Sequence, residues 1–280
     1  MNKALRVKIV LSLFILLSAT GTTFRDSKLV LTGSAIASEI QSVWTDANES
    51  AVIMKGERRI IPDNYRTVRA DLRALRTELS SVAPERSDRT LAVISLPMPD
   101  GRTATFSAVE YSMMEPGLSA KYPGIRTYLI QGISDPYASG TMDITVHGFH
   151  AMILSPNGDY FIDPYSANET EHYISYYKTA LANRHSFECL TDEIASDLSP
   201  VAPSYRGAIV CGPELRTYRL AMAATGEYTT FHGGTVSQGL AAIVTAMNRV
   251  NGVYIKDLCI RMTLIANNDL IVYTNSSTDP

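Results

Sequence analysis

A short apolar run near the N-terminus is the first hydrophobic pattern in the chain. The run covers residues 9–19 and follows three basic residues, Lys3, Arg6 and Lys8. A basic segment before such a run is typical of an export signal, and the run is shorter than the roughly 20 apolar residues that span a bilayer. The sequence therefore predicts a signal peptide over residues 1–37, cleaved near residue 21 or residue 37. It predicts a secreted (extracellular or cell-envelope) protein with no membrane attachment after cleavage.

One later segment has the three-to-four residue period of a helix face. Between residues 67 and 82 the apolar positions step by four, three, four and three, which predicts an amphipathic helix. Its arginines are expected on the solvated faces; they are Arg66, Arg69, Arg73 and Arg76. A second, shorter helix is predicted over residues 173–182.

Between residues 90 and 163 the period changes to two, the repeat of β-strands. Residues 91–96 and 102–111 flank a turn rich in proline and glycine, which predicts a hairpin. Four further short strands are predicted over residues 125–131, 142–146, 149–154 and 160–162. One helix with many short strands predicts an α+β fold for this β-rich domain.

The last part of the chain has longer elements. A strand is predicted over residues 218–224, and Thr235 is the predicted N-cap of a helix in which Gln238 completes a capping box. Asn251-Gly252 is the predicted helix stop, and residues 258–266 form a second strand. Strand, helix and strand predict a parallel βαβ unit, the start of an α/β domain that needs more sheet than these residues supply.

Proline and glycine are concentrated between these two patterns, in residues 198–213. Such a composition is typical of an interdomain linker. Arg206 is a predicted processing site, because exposed irregular segments are where proteases cut. The predicted domains are therefore residues 38–197 and residues 214–280.

Composition excludes several classes of protein. The chain has 280 residues, of which 45% are hydrophobic and 19% charged, so collagen-like and wholly disordered chains are excluded. A net charge of -3 and a pI near 6.0 argue against a nucleic-acid partner. Three cysteines are too few for a disulfide scaffold.

Few residues are candidates for chemistry. His147 and His150 form H-x-x-H, but residues three apart in a strand point to opposite faces, so both are predicted to be structural rather than zinc ligands. None of the five histidines is followed by Glu, so H-E-x-x-H is absent from this sequence. Four aspartates near predicted strand ends are predicted to be turn or cap residues; they are Asp135, Asp143, Asp159 and Asp163.

Two long runs of sequence resemble a known protein family. The first is GFHAMILSPNGDYFIDPYS, followed by EHYISYYK; it resembles the propeptide of secreted bacterial reprolysin-like zinc metalloproteases. The second is ELRTYRLAMAATGEYTTFHGGTVSQGLAAIVTAMNRVNGVY, followed by IRMTLIANNDLIVYTN; it resembles the start of their catalytic domain. These enzymes are metzincins, and the resemblance covers residues 44–280.

The resemblance implies a zymogen with a signal, an inhibitory propeptide and an α/β catalytic domain. Catalysis in the family depends on H-E-x-x-H-x-x-G-x-x-H, whose histidines hold zinc and whose Glu is the general base. Because that motif is absent here, no catalytic residue is carried over, and the 280 residues alone are expected to bind no catalytic zinc and to be inactive. Venom-type relatives have a calcium-binding Glu in the first strand, where this sequence has Arg219, which argues against a calcium site.

The resemblance also gives the cysteines a role. Zymogens of the family can be silenced by a propeptide thiolate that occupies the open position of the zinc. Cys211, in Cys211-Gly212, is similar to other switch cysteines, but cleavage at Arg206 leaves it on the mature enzyme, so Cys189 is favoured. A Cys189–Cys211 disulfide and two buried thiols are the alternatives, while Cys259 is expected in the core.

Two functions follow from these patterns. In the first, the chain is the N-terminal part of a secreted zinc endopeptidase zymogen, whose propeptide keeps the protease latent and assists its folding. Its partners are its own catalytic domain and the protein or peptide substrates of the parent enzyme. In the second, the chain is a secreted non-enzymatic module that binds or inhibits a protease in trans. The unfinished βαβ unit argues against the second, because an exposed sheet edge invites aggregation.

Overall fold

The computed structural model describes residues 43–85, 87, 91–181 and 214–279. All of them lie within one compact unit, Gly33–Pro280. We call residues 43–181 the barrel part and residues 214–279 the C-terminal segment. The predicted signal peptide, the predicted linker, Arg206, Cys189 and Cys211 lie outside the described residues. Within the described ranges, no helix has the length and apolar character needed to cross a membrane.

Nine antiparallel strands form the sheet of the barrel part. The strands are β1 Trp44–Asp46, β2 Arg66–Ala70, β3 Ala92–Pro97, β4 Thr103–Glu110, β5 Arg126–Gly132, β6 Ser139–Thr145, β7 Gly148–Leu154, β8 Tyr160–Pro164 and β9 His172–Tyr177. Their order across the sheet is β1-β2-β9-β8-β7-β6-β5-β4-β3. The predicted hairpin is confirmed as β3 and β4, and the four further predicted strands are confirmed as β5 to β8.

The sheet curves until its two sides approach each other, so that it is nearly barrel-shaped. Ser175 of β9 donates a 2.8 Å hydrogen bond to the carbonyl oxygen of Pro97 at the end of β3. Arg66 of β2 donates to the carbonyl oxygens of Met98 and Arg102, in the turn after β3, at 3.2 Å and 2.8 Å. Side chains from strands near both edges of the sheet therefore pack into one hydrophobic core.

The helix α1 Leu72–Ser80 covers part of this core, and a short helix, α2 Pro116–Lys121, lies between β4 and β5 in sequence. The N-cap of α1, Asp71, accepts hydrogen bonds from the backbone N–H groups of Arg73 and Ala74, which satisfies two of the donors that a helix start leaves open. Leu75 and Leu79 are 5% and 1% exposed and lie within the core. The amphipathic face that the sequence predicted is thus present in this helix.

The prediction of one continuous helix over residues 67–82 is wrong at its start. Residues 66–70 form β2, in which Val68 and Ala70 are buried and Arg69 between them is exposed. Val68 fits both the two-residue alternation of this strand and the period of the following helix, which is why the predicted helix starts too early. Asp71 separates the two elements. Arg76 is also not fully solvated, since it donates to the carbonyl oxygens of Gly124 and Thr145.

The helix predicted over residues 173–182 is also wrong, because residues 172–177 form β9. Tyr173 faces the barrel core, whereas Ile174 and Tyr176 pack in a small cluster on the other side of the sheet. A strand buried on both faces has no polar alternation, and its sequence therefore lacks the usual strand signal.

The C-terminal segment contains the predicted βαβ unit. Strand β10 Arg216–Leu220 pairs in parallel with β11 Ile260–Leu264, and the helix α4 Val236–Leu258 lies between them in sequence. A short helix, α3 Gly226–Phe231, replaces the turn predicted at Thr225-Gly226. Thr235 caps α4 by accepting the N–H of Gln238, so the predicted N-cap is confirmed.

Helix α4 does not stop at Asn251-Gly252 as predicted but continues to Leu258. The side chain of Asn251 forms two hydrogen bonds with the backbone of Met262, at 2.8 Å and 2.9 Å. Gly252 allows the helix to lie close to the sheet, since a Cβ there would lie 2.8 Å from Met152 Cε. Both residues therefore serve helix packing, and Cys259 in the left-handed region, with φ 53°, ends the helix.

Candidate functional site

The main feature of the molecule is the surface along which the barrel part meets the C-terminal segment. A hydrophobic cluster, which we call the shared core, takes buried side chains from both parts. The barrel part contributes Tyr111, Met113, Met114, Leu118 and Ile125. The C-terminal segment contributes Ala224, Leu240, Ala241, Ile243, Val244, Met247, Leu264 and Val272. The apolar face of α4 is therefore covered by side chains of the barrel part.

The barrel part also extends the small parallel sheet of the C-terminal segment. Leu264 donates its N–H to the carbonyl oxygen of Met113 at 2.8 Å, and Glu115 donates its N–H to the carbonyl oxygen of Leu264 at 2.8 Å. Met114 and Leu264 form a parallel bridge. Residues 112–115 thus occupy the edge of β11 that β10 leaves open, the kind of edge that otherwise invites unwanted pairing.

Charged pairs surround this added strand. Glu115 accepts from Arg219 Nε at 2.5 Å and from the N–H of Ala266 at 2.8 Å, so one carboxylate joins β10 to the end of β11. Arg219 hydrogen-bonds to Glu115, which holds the pKa of that carboxyl below its usual value. Arg219 therefore forms an ion pair with Glu115 at the position where the resemblance implies a calcium-binding Glu. Two further pairs across the surface are Arg261 with Glu85 and Lys121 with Asp269.

Behind the shared core, two buried aspartates of the barrel part bind helix α4. Asp163 of β8 is 2% exposed, accepts from Arg249 Nη2 at 2.5 Å and accepts from the Tyr176 hydroxyl at 2.7 Å. Burial alone would raise its pKa, but Arg249, His150 and Tyr176 outweigh burial and lower the pKa of this carboxyl. Asp163 is therefore an ionised partner of α4 rather than a turn residue.

Asp143 of β6 is 1% exposed and is bound in a similar way. It accepts from Thr245 Oγ1 at 2.8 Å and Asn248 Nδ2 at 3.2 Å, and His150 Nδ1 lies 3.1 Å away. Asn248 in turn accepts a hydrogen bond from the Tyr111 hydroxyl, whose pKa is raised by burial. The prediction of a turn or cap role is thus wrong for Asp143 and Asp163.

That prediction is confirmed for the two other aspartates. Asp135 accepts the N–H of Tyr137 at 3.1 Å, and Asp159 accepts the N–H of Ser155 at 3.2 Å, both within turns. All four aspartates lie close to predicted strand ends in sequence. Asp135 and Asp159 lie in turns, whereas Asp143 and Asp163 lie within β6 and β8 and are covered by α4. The strand pattern contains no signal for that contact.

A cleft of about 550 Å³ lies beside the buried aspartates, between the barrel part and helices α3 and α4. It brings together three of the five histidines in the sequence, His147, His150 and His232. The prediction that His147 and His150 lie on opposite faces is wrong. His147 lies in the two-residue turn before β7, and Gly148, with φ 107°, redirects the chain after it. Both side chains therefore line the same cleft.

Burial favours the neutral forms of two histidines of the cleft, His147 and His232. His147 Nε2 lies 2.9 Å from the carbonyl oxygen of Gln238, and burial lowers its pKa. Burial, with Arg59 and His147 nearby, lowers the pKa of His232 to about 4. The rings of His147 and His232 are 6.0 Å apart between centroids, so they face each other across the junction of the two parts.

These histidines do not fit a zinc centre. Across the described residues, no group of three His, Cys, Asp or Glu side chains converges as metal ligands must. His150 and His147 each already have a hydrogen-bond partner at one ring nitrogen, Asp143 and the Gln238 carbonyl. The assignment of the two histidines of H-x-x-H as structural residues stays a prediction.

The comparisons with known proteins bear on the C-terminal segment. Residues 214–280 match the metallo-peptidase family M12B, reprolysin-like. This segment is therefore similar in sequence to reprolysin-like metallopeptidases, and we call it the reprolysin-like segment. No curated protein and no solved structure matches the chain. The match supports a metalloprotease-related protein, and the reprolysin-like segment is the part that carries β10, α4 and β11. Family M12B enzymes generally use zinc, but no metal site is present among the described residues.

Cys259 is the one cysteine among the described residues. Cys259 is half-buried, so the expectation that it lies in the core is wrong, and it is disulfide-bonded. It lies directly after α4, and its carbonyl oxygen accepts the N–H of Arg216 at 2.9 Å. The other two cysteines of the chain lie outside the described residues. A disulfide at Cys259 was not deducible from spacing, because three cysteines allow three different pairs.

Proposed function

We propose that residues 43–181 are the inhibitory propeptide of a secreted zinc endopeptidase and that the reprolysin-like segment begins its catalytic domain. One observation carries the proposal: the barrel part supplies both the cover for the apolar face of α4 and a strand for the open edge of β11. A βαβ unit needs both contacts, because an isolated one leaves apolar helix surface uncovered and the outer edges of its two paired strands open. The barrel part thereby assists the folding of the segment that it accompanies.

The sequence contains no H-E-x-x-H motif, so peptide hydrolysis in this proposal depends on residues beyond these 280. The chain itself acts by binding its own catalytic domain, and the substrates of the parent enzyme are proteins or peptides. The alternative of a non-enzymatic module that inhibits a protease in trans is not favoured by the metallopeptidase match. Export by the N-terminal signal remains part of the proposal.

We further propose that Cys189 is the thiol that silences the zinc of the parent enzyme and that Cys211 is the partner of Cys259. The disulfide at Cys259 removes one of the two other cysteines from consideration as a thiolate ligand. Cys259 lies against Arg216, which Cys211 closely precedes in sequence, so Cys211 has the shorter chain to the disulfide. Cleavage at Arg206 then removes Cys189 with the propeptide and leaves the disulfide intact.

A cut after Arg206 tests the pairing of the cysteines. With a specific protease site placed there, the two pieces of the cut chain should separate on a denaturing gel without reductant. Pieces that stay joined until reductant is added would assign the disulfide to Cys189 and would exclude that residue as the switch. The matched control is the Cys189→Ser chain, whose N-terminal piece has no cysteine, so its pieces should separate under either condition.

A precursor that extends into the zinc motif tests latency. Cys189→Ser should release activity toward a fluorogenic peptide before any processing, because the zinc loses its blocking thiolate. Cys259→Ser in the same precursor should stay latent. Unchanged latency of the Cys189→Ser precursor would contradict the switch, while leaving the proposed role of the barrel part in folding to be judged separately.

A further inference from the structure

The cleft contains buried donors that have no partner among the described residues. Ser166 is 3% exposed, and its hydroxyl forms no hydrogen bond there. Arg249 binds Asp163 through Nη2, yet its Nε is buried and also lacks a partner there. Both residues line the cleft. A buried donor without a partner is destabilising, so a bound acceptor at this site would remove that penalty.

Positive charge is available at the mouth of the same cleft. The guanidinium of Arg59 lies 3.7 Å from the centre of the Phe231 ring and donates to the Phe231 carbonyl oxygen at 2.6 Å. This contact uses Nη2 and holds the group beside His232. A planar guanidinium fixed in this way presents its remaining N–H groups in a fork suited to an oxyanion.

The other groups around the cleft leave room for a negative ligand. Asp163 faces it but is engaged by Arg249 and Tyr176, and Asp143 is turned to His150 and helix α4. The remaining polar or titratable groups of the lining are Tyr228, Thr230, Thr245, Asn168, His147 and His232. Asp143 and Asp163 therefore have their own partners, whereas two donors of the lining, Ser166 Oγ and Arg249 Nε, do not.

We infer that this cleft is a binding site for a small oxyanion, either a carboxylate or a tetrahedral oxyanion, held by Arg59, Ser166 and Arg249. The inference does not depend on the proposed protease role. Binding is coupled to protonation, because an anion beside His147 and His232 favours their charged forms. A bound anion therefore raises the pKa of both imidazoles and opposes the effect of burial.

The coupling fixes the direction of the pH dependence. In the empty cleft the pKa of His232 is about 4, and an anion that restored its ordinary value of about 6.5 would give affinity about tenfold higher at pH 5.5 than at pH 7.5. The effect has this sign because the bound state takes up a proton. Sulfate and formate are suitable probes, since both stay ionised across this range.

The experiment is calorimetric titration of the full chain with sulfate and, separately, with formate, at pH 5.5 and pH 7.5. We expect saturable binding of one anion per chain, about tenfold tighter at the lower pH. Tighter binding of sulfate would assign a tetrahedral oxyanion, and tighter binding of formate would assign a carboxylate. No saturable binding of either probe, or binding independent of pH, would overturn the inference.

Variants make the test specific. Arg59→Gln, at an exposed position, should weaken binding at least fivefold at both pH values. Ser166→Ala should also weaken it while leaving the chain folded, because it removes an unsatisfied hydroxyl. His232→Gln should reduce the pH dependence to the part that comes from His147. The matched controls outside the cleft, Arg73→Gln and His172→Gln, should bind as the parent chain does; loss of binding in the controls, or undiminished binding by Arg59→Gln, would contradict the site.

Discussion

Asp163→Asn is expected to lower the free energy of unfolding by about 3 kcal/mol, measured by urea denaturation at pH 7. The substitution keeps the shape of the side chain but leaves Arg249 without its counter-ion, and breaking a buried ion pair by removing one partner typically costs about 3–5 kcal/mol. The lower end applies here because the Arg249 side chain is 26% exposed and regains some hydration. The Tyr176 hydroxyl also loses its anionic acceptor.

The matched control is Asp159→Asn, in the turn before β8. Its side chain is 31% exposed, and the change should alter the free energy of unfolding by less than about 0.5 kcal/mol. An Asp163→Asn chain within that same margin of the parent would contradict the assigned role of the buried pair.

The pH dependence provides a second readout for Asp163. Its pKa in the folded chain is lowered from the ordinary 3.8, because Arg249, His150 and Tyr176 outweigh the opposing effect of burial. The stabilisation is therefore fully present above pH 4 and is lost as the pH falls through the lowered folded pKa. The parent chain should lose this stability below pH 4, while Asp163→Asn should lose less over the same interval.

Leu118→Ala is expected to lower the free energy of unfolding by about 3 kcal/mol and to open the reprolysin-like segment first. Leu118 is 0% exposed and belongs to the shared core, although it precedes the segment by about a hundred residues in sequence. Truncation of a buried leucine removes hydrophobic burial and leaves a cavity, which costs about 2–5 kcal/mol. Amide hydrogen exchange should rise most in α4 and β11.

Leu79→Ala is the matched control, because Leu79 is 1% exposed but packs only in the core of the barrel part. Its overall cost should be similar, but faster exchange should appear mainly in the strands that surround that core. Equal changes in exchange in both variants, spread evenly over both parts, would show that the shared core gives the reprolysin-like segment no particular support.

Short-range patterns were sufficient for much of the fold. The hairpin signal around Gly101, the strands up to Ile162 and the N-cap at Thr235 each depend on a few neighbouring residues, and the structure confirms them. The parallel pairing of β10 and β11 followed from the order of the elements alone. Wrong assignments arose where burial removed the alternation, as in β9, or where two periods overlapped, as at Val68.

The candidate site was much less accessible to sequence reasoning. The sequence predicts Asp143 and Asp163 as turn residues because the strand pattern around them contains no signal for a contact with α4, a helix about a hundred residues later. Gly252 looked like a helix stop, although its missing Cβ serves the contact with Met152. The convergence of His147 and His232 depends on the same docking of α3 and α4 against the barrel part, and no local pattern encodes it.

The most direct test of the central claim asks whether the barrel part holds the reprolysin-like segment without a peptide bond between them. The full chain, with a specific protease site after Arg206, is cut and reduced, and its mass in solution is measured by size-exclusion chromatography with light scattering. We expect the two pieces to elute together at the mass of the uncut chain, and Leu118→Ala to weaken their association. Pieces that elute separately after the cut, in the parent chain, would contradict the account.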